Sequence, residues 1–444
     1  MATGQILRAD GTEFETMRVQ RFYRPELDAL RFCAFLAVYV CHSIPNNAVA
    51  AVAHTHGYSW LRLLAAIKDA GNFGVCLFFM LSAFLITELL RREHEAHGRI
   101  HVGAFYLRRI LRIWPLYFGI TVAYVLAGRN FPAMRMESGR VLAYFLLAGN
   151  WYIALHPWIQ TPLRSLWSIS VEEQFYLVWP MLARYGGVRS LAPVSVALVP
   201  LSLMTISVVS ADTAFAHNTV WLNSFTRFQF FAWGALLALI LNGAIPKIDR
   251  VFRGALGCAG AALWLLSAYA THIKRPGAQV ISSQFCCGYL LIAAGCVLFL
   301  LAMLGTPGWR VPRWAVYLGK ISFGLYVFHE TAFLLADEVQ KHAAMSVPCI
   351  ASWSSQHLTI ALTLNKILAL CTTILLAMLS YRFWRALSCG SNGALPGSNR
   401  GACRWRYLMF LSIATNSCRP PRRSFFRRQW RFAGFGLCSE GCDG

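Results

Sequence analysis

Long apolar runs, interrupted by short polar and basic clusters, set the pattern of this chain. Runs of about 18 to 22 apolar residues are long enough to cross the hydrocarbon core of a bilayer as helices. They predict spans at about 27–47, 72–90, 113–128, 167–186, 190–209, 224–242, 254–271, 284–304, 317–337 and 358–384. The predicted fold is all-α: a polytopic membrane helical bundle of about ten transmembrane helices, because helices satisfy their own backbone groups in lipid. Residues 48–70 are expected as an outer loop, and 91–112 as a strongly basic cytoplasmic loop. Residues 129–166 are harder to place. LAYFLLAGNWYIAL is apolar but short, and Gly149, Asn150, Pro157 and Pro162 break it, so outer-face or re-entrant structure is expected.

The basic clusters orient the bundle. Arg184/Arg189, Lys247/Arg250/Arg253, Arg310/Arg313 and Arg382/Arg385 all fall on one side if both termini are cytoplasmic. Arg62, Lys68, Lys274 and Arg275 fall on the other side, so the rule acts as a bias. Residues 1–26 read as a cytoplasmic N-terminal segment, too polar and too long to be the n-region of a cleavable signal peptide. Residues 27–385 form the membrane domain. The stretch 386–444 has another character: its Arg-, Cys-, Gly- and Trp-rich sequence shows no period and reads as disordered or frame-shifted.

Composition supports this division. Of 444 residues, 57% are hydrophobic and only 14% charged, well below the quarter typical of soluble domains. The net charge of +22 invites a nucleic-acid reading, but the charges sit at helix ends and in the tail, so no nucleic-acid partner is expected. Eight of the 14 Cys (Cys33, Cys41, Cys76, Cys258, Cys286, Cys287, Cys296 and Cys371) lie in apolar runs, where thiols behave as small hydrophobes. None has zinc-ligand spacing with a His, so no structural metal is expected.

Four stretches carry candidate chemistry. In RFCAFLAVYVCH, Arg31 and His42 stand close to three helical turns apart on one stripe, roughly 16 Å along the axis. Polar residues on a spanning helix usually line a cavity or pathway; snorkelling of Arg31 and packing of His42 are the plain alternative. In FYLRRILRIWPLY, Arg108 and Arg112 share a face beside Arg109. Such guanidinium groups suit a phosphate-bearing cytosolic ligand, or simply anchor the helix to anionic lipid. In LWSISVEEQFYLVWP, Glu172 and Glu173 open a span. One serves the helix dipole, with Ser168 or Ser170 as cap, and one looks inward, where it is a candidate to orient a histidine. In LGKISFGLYVFHE, His329 and Glu330 lie at depth, serving either a site or packing through hydrogen bonds.

In their order along residues 22–385, these stretches resemble the acyltransferase-3 family of integral membrane O-acyltransferases. YRPELDALR…H is similar to its first-helix signature, GNFGVCLFFMLSAFLIT to its second, and FYLRRILRIWPLY to its arginine motif. LWSISVEEQFYLVWP, FTRFQFFAWGALLA and ISFGLYVFHE resemble three later segments. The resemblance implies transfer of an acyl group, acetyl by family habit, from cytosolic acetyl-CoA or another acyl-CoA to a hydroxyl of a carbohydrate acceptor such as lipopolysaccharide or exopolysaccharide. It implies a bacterial-type inner membrane. It makes His42 the catalytic histidine, as base or acyl carrier, assisted by Glu172 or Glu173. Arg31, Arg108, Arg109 and Arg112 are assigned to the CoA side, and Ser168, Arg227 and His329 to the acceptor. Ala83, Glu330 and Arg385 depart from the family pattern, the last at the point where the resemblance ends. The competing reading is a transporter of a small anionic or carbohydrate substrate; transporters tend to show two related halves, and no internal repeat is visible.

Overall fold

The computed structural model describes residues 23–44, 59–131, 134–156, 161–211, 216–271 and 281–390. The chain divides into units 1–384 and 385–444. The expected tail falls in the second unit, and 391–444 lie outside the described residues, as do 1–22 of the N-terminal segment. Every element among the described residues is helical. The helices are α1 (Pro25–Ser43), α2 (Ser59–Gly71), α3 (Gly74–His97), α4 (Val102–Asn130), α5 (Ser138–Phe145), α6 (Gly149–Leu155), α7 (Trp167–Tyr185), α8 (Leu191–Ser210), α9 (Ala216–Leu222), α10 (Ser224–Leu241), α11 (Arg250–Thr271), α12 (Ser282–Met303), α13 (Arg313–Lys320), α14 (Ser322–Ser346), α15 (Pro348–Gln356) and α16 (Leu358–Gly390).

Among the described residues, seven stretches are long and apolar enough to cross a membrane: Leu63–His97, Val102–Asn130, Val188–Ser210, Ser224–Leu241, Arg250–Thr271, Ser282–Met303 and Leu358–Phe383. The three remaining expected spans are α1, α7 and the α13–α14 pair. Each contains ionisable residues, Arg31 and His42 in α1, Glu172 and Glu173 in α7, and His329 and Glu330 in α14, which lower the apolarity of the run. Outward faces elsewhere are rich in exposed apolar side chains, such as Leu107, Leu111 and Leu126 on α4 and Val196, Met204 and Val208 on α8. Lipid is the partner such faces require.

Two loop expectations and one span are corrected. Part of the outer loop 48–70 is helix α2, whose amphipathic sequence packs against α1 and α11. The basic loop 91–112 is mostly helix: α3 continues to His97, Gly98 reverses the chain at φ 66°, and α4 begins at Val102. Arg91 and Arg92 hold α3 together there, both pairing with Glu88, while Arg91 also reaches Glu95. Intrahelical ion pairs at i, i+3 and i, i+4 thus hold the polar end of α3 in helix. The ninth span is broken at Ile321 into α13 and α14. Within 129–166 the chain forms α5 and α6, with Arg140, Tyr144 and Asn150 buried. Asn150 is tied to the Leu222 carbonyl, Ser224 and Gln174, so this short apolar stretch is wedged between longer helices.

The core sits where α3 meets α10 and α1 meets α3, α13 and α14. Gly234 of α10 faces the Met80 carbonyl of α3 so closely that a methyl there would overlap it. Small residues at such crossings allow backbones to approach and gain dispersion contact in lipid, where the hydrophobic effect no longer drives helices together.

Candidate active site

Two groups of polar residues lie inside this core, one at each end of α1. At the first, α1, α3, α4, α7 and α14 line a half-open recess with a cavity volume of about 70 Å³. Its charged lining is Arg31, Arg109 and Arg112 against the single carboxylate Glu172. Phe78, Phe79 and Phe323 are among its apolar walls. Arg109 lies over the rings of Tyr176, at 5.0 Å, and Phe105, at 5.4 Å. Ser82 Oγ donates to Glu172 Oε1 at 2.9 Å and Tyr176 OH to Oε2 at 3.2 Å. Arg31 also pairs with Asp28 at 3.7 Å, so three guanidinium groups face two carboxylates, and the remaining positive charge in a partly apolar recess favours phosphate.

At the second, His42 of α1 meets His329 and Glu330 of α14. His42 Nδ1 is 2.9 Å from His329 Nε2 and 3.2 Å from Glu330 Oε1. Arg164, in the turn preceding α7, donates to both oxygens of Glu330, from Nε at 2.9 Å and from Nη2 at 3.1 Å. His329 Nδ1 lies 2.5 Å from the Tyr326 carbonyl. A carbonyl only accepts, so Nδ1 carries that ring's proton and Nε2 its lone pair. His42 Nδ1 must then be the donor to His329 Nε2, and the lone pair of neutral His42 is on its Nε2.

His42, His329 and Glu330 also form the one group of His, Cys, Asp or Glu among the described residues crowded closely enough to hold a metal. Their geometry is that of a hydrogen bond. The two rings are 7° from parallel with centroids 5.2 Å apart, which is the N···N distance plus the two ring radii. They therefore lie nearly in one plane, nitrogen facing nitrogen. Lone pairs of metal ligands aim at a shared third point, and here Arg164 already holds the carboxylate.

Tyr326 stands between the two groups. It lines the pocket, its hydroxyl donates to the Ser165 carbonyl at 3.2 Å, and it accepts from Ser168 Oγ at 2.7 Å. Its ring centroid is 5.4 Å from that of His329.

The predicted residues therefore separate. Arg31, Arg109, Arg112, Ser168 and Glu172 line the pocket, and His42 and His329 form the second group. The arginine pair facing the pocket is Arg109/Arg112, whereas Arg108 is exposed and not part of its lining. Neither Ser168 nor Ser170 caps α7: Ser168 bonds the Ser165 carbonyl and Tyr326, and Ser170 the Leu166 carbonyl. Glu173 points away, accepting from Trp114 Nε1 at 2.9 Å. The carboxylate beside His42 is Glu330, in place of either α7 acid. Arg227 belongs to neither group. Fully buried, it donates to the Trp221 carbonyl and Tyr289 OH and lies 3.7 Å from the Trp221 ring centroid. Sequence reasoning missed Arg164 and Tyr326. The His329–Glu330 step was a visible signal for Glu330, but no signal marks Arg164.

The basic pocket thus lies towards one end of α1 and the paired histidine at the other. The family described as an acyltransferase domain matches residues 24–382, and this chain belongs to that acyltransferase-3 family. Its relatives include the peptidoglycan O-acetyltransferase OatA of Listeria monocytogenes, 25% identical over 401 residues, covering 83% of this chain and 56% of that protein. A putative O-acetyltransferase of Staphylococcus aureus (strain MSSA476) is 26% identical over 350 residues, covering 72% of this chain and 51% of that protein. A putative peptidoglycan O-acetyltransferase of Bacillus subtilis, YrhL, is 26% identical over 341 residues, with coverage of 72% and 50%. The chain spans about half the length of these curated relatives. No solved structure matches it.

Proposed function

We propose that this chain is a membrane O-acetyltransferase that takes acetyl from cytosolic acetyl-CoA and delivers it to a hydroxyl of a cell-envelope glycan, peptidoglycan or another surface saccharide. The observation that carries this reading is the arrangement along α1: the Arg31–Arg109–Arg112 pocket at one end, and a histidine whose Nε2 bears the lone pair at the other. The arginines bind the phosphates of the donor. His42 then acts by one of two routes. As a base, Nε2 takes the acceptor's hydroxyl proton while the oxygen attacks the thioester carbonyl and the C–S bond breaks. As a carrier, Nε2 itself attacks, the thiolate leaves, and the acceptor hydroxyl then displaces the acetyl group from nitrogen, its proton balancing the CoA thiolate, which departs as the thiol. Imidazole suits either route because its ordinary pKa lies near neutrality.

Under this proposal α1, α7 and α14 also cross the bilayer, giving ten crossings of a bacterial-type inner membrane with both termini cytoplasmic. No metal takes part. The test is transfer of labelled acetyl from acetyl-CoA to envelope glycan in membranes bearing wild type or His42→Ala. Label made by the wild type and abolished in the variant at equal protein level is the expected result. Equal label in both removes His42 from the mechanism.

A further inference from the structure

The geometry points to Glu330 and Arg164 as positioning residues that act through His42. This rests on the reading of His42 as the reacting group and adds what orients its ring and stabilises its cationic form. When Nε2 accepts an acyl group or a proton, the ring becomes cationic unless the Nδ1 proton moves away. Two acceptors lie within reach of that proton: His329 Nε2 at 2.9 Å and Glu330 Oε1 at 3.2 Å. The first is locked as an acceptor by the Tyr326 carbonyl. The second is a carboxylate, the stronger partner for a developing imidazolium. Glu330 is buried, its side chain 9% exposed, and a lone carboxylate there would be unfavourable. Arg164 removes that obstacle by a bidentate grip that also fixes which oxygen faces His42.

The two residues are 166 positions apart and come from different segments. Their meeting at His42 has a plain rival explanation: an ion pair that merely ties the turn before α7 to α14. The two explanations differ in what a charge exchange should do. Arg164→Glu combined with Glu330→Arg keeps an ion pair between the same segments, yet places a donor with no acceptor beside His42 Nδ1. Glu330→Gln keeps one acceptor oxygen, loses the charge and sets an amide NH2 against the Arg164 fork.

Reaction of His42 with diethyl pyrocarbonate, followed by mass spectrometry of its peptide, reads the Nε2 lone pair without acyl-CoA or acceptor. The His42 side chain is 20% exposed and that of His329 0%, so the two histidines are distinguishable. Wild-type His42 should react, Glu330→Gln should react about tenfold more slowly, and the exchanged pair should be slower still, by about the tenfold to hundredfold that a charged hydrogen bond is worth. In acetyl transfer both variants should lose kcat with KM for acetyl-CoA unchanged. Wild-type reactivity in the exchanged pair, or a wild-type His42 that does not react, overturns the inference. If instead His42→Ala retains acetyl transfer while wild-type His42 carbethoxylation still depends on Glu330, the catalytic role of His42 fails and the positioning stands.

Discussion

Removing one pocket arginine tests whether the basic recess holds the donor's phosphates. Arg109 and Arg112 line the pocket with Arg31, while Arg108 on the same helix does not. A hydrogen bond between a charged group and its partner contributes about 1.5–3 kcal/mol, which corresponds to about 10- to 100-fold in affinity. Arg112→Ala should therefore raise KM for acetyl-CoA by roughly that range. Arg109→Ala should fall at its lower end, because part of that charge already rests on the Tyr176 and Phe105 rings. Arg108→Ala, at the exposed face, should change KM by less than about threefold, as exposed charges usually do. The assay is steady-state acetyl transfer in membrane vesicles, run in parallel with acetyl-CoA and with acetyl-pantetheine, which lacks the nucleotide phosphates. If phosphate is what the arginines hold, the penalty of each pocket substitution should disappear with the truncated donor, as a double-mutant cycle requires. Equal penalties with both donors, or Arg108→Ala matching Arg112→Ala, would refute the phosphate assignment.

Two further substitutions separate scaffold from site. Arg227→Lys should lower the melting free energy of the detergent-solubilised protein by about 2–3 kcal/mol, because lysine lacks the flat fork that bonds the Trp221 carbonyl and Tyr289 and lies against the Trp221 ring; KM for the acceptor should not move, and a shift in that KM with unchanged stability would return Arg227 to the acceptor site. Gly234→Val should cost about 3 kcal/mol or more, since its side chain would press on backbone carbonyl at the α3–α10 crossing; a variant that melts like wild type would show that this crossing has slack.

What was legible in the sequence was whatever depends on neighbours along one helix. Run length marks the helices, because a backbone in lipid must satisfy itself and a helix does so within its own segment. Helical periodicity placed Arg31 and His42 on one stripe and set Arg109 and Arg112 a turn apart, although it favoured Arg108 as the partner of Arg112. The family resemblance, carried by motifs of the same local kind, agreed with the family match over residues 24–382.

The assignments that needed the tertiary structure all concern residues distant in the chain. Which α7 acid faces inward, and toward what, depends on where Ser82 and Trp114 arrive from α3 and α4. That His42 rests on Glu330, and Glu330 on Arg164, depends on the crossing of α1 with α14 and on the turn before α7. Arg227 resembled a binding residue in its motif, and only the aromatic side chains around it, from α9, α10 and α12, show a buried cation held by its own scaffold. Crossing angles and registers come from the fit of small and large side chains on opposed helices, and one unaligned sequence records those side chains without recording which ones meet. The sequence by itself therefore determined the all-helical architecture and the α1 stripe; helix packing decided which charges share a pocket and which carboxylate holds the histidine.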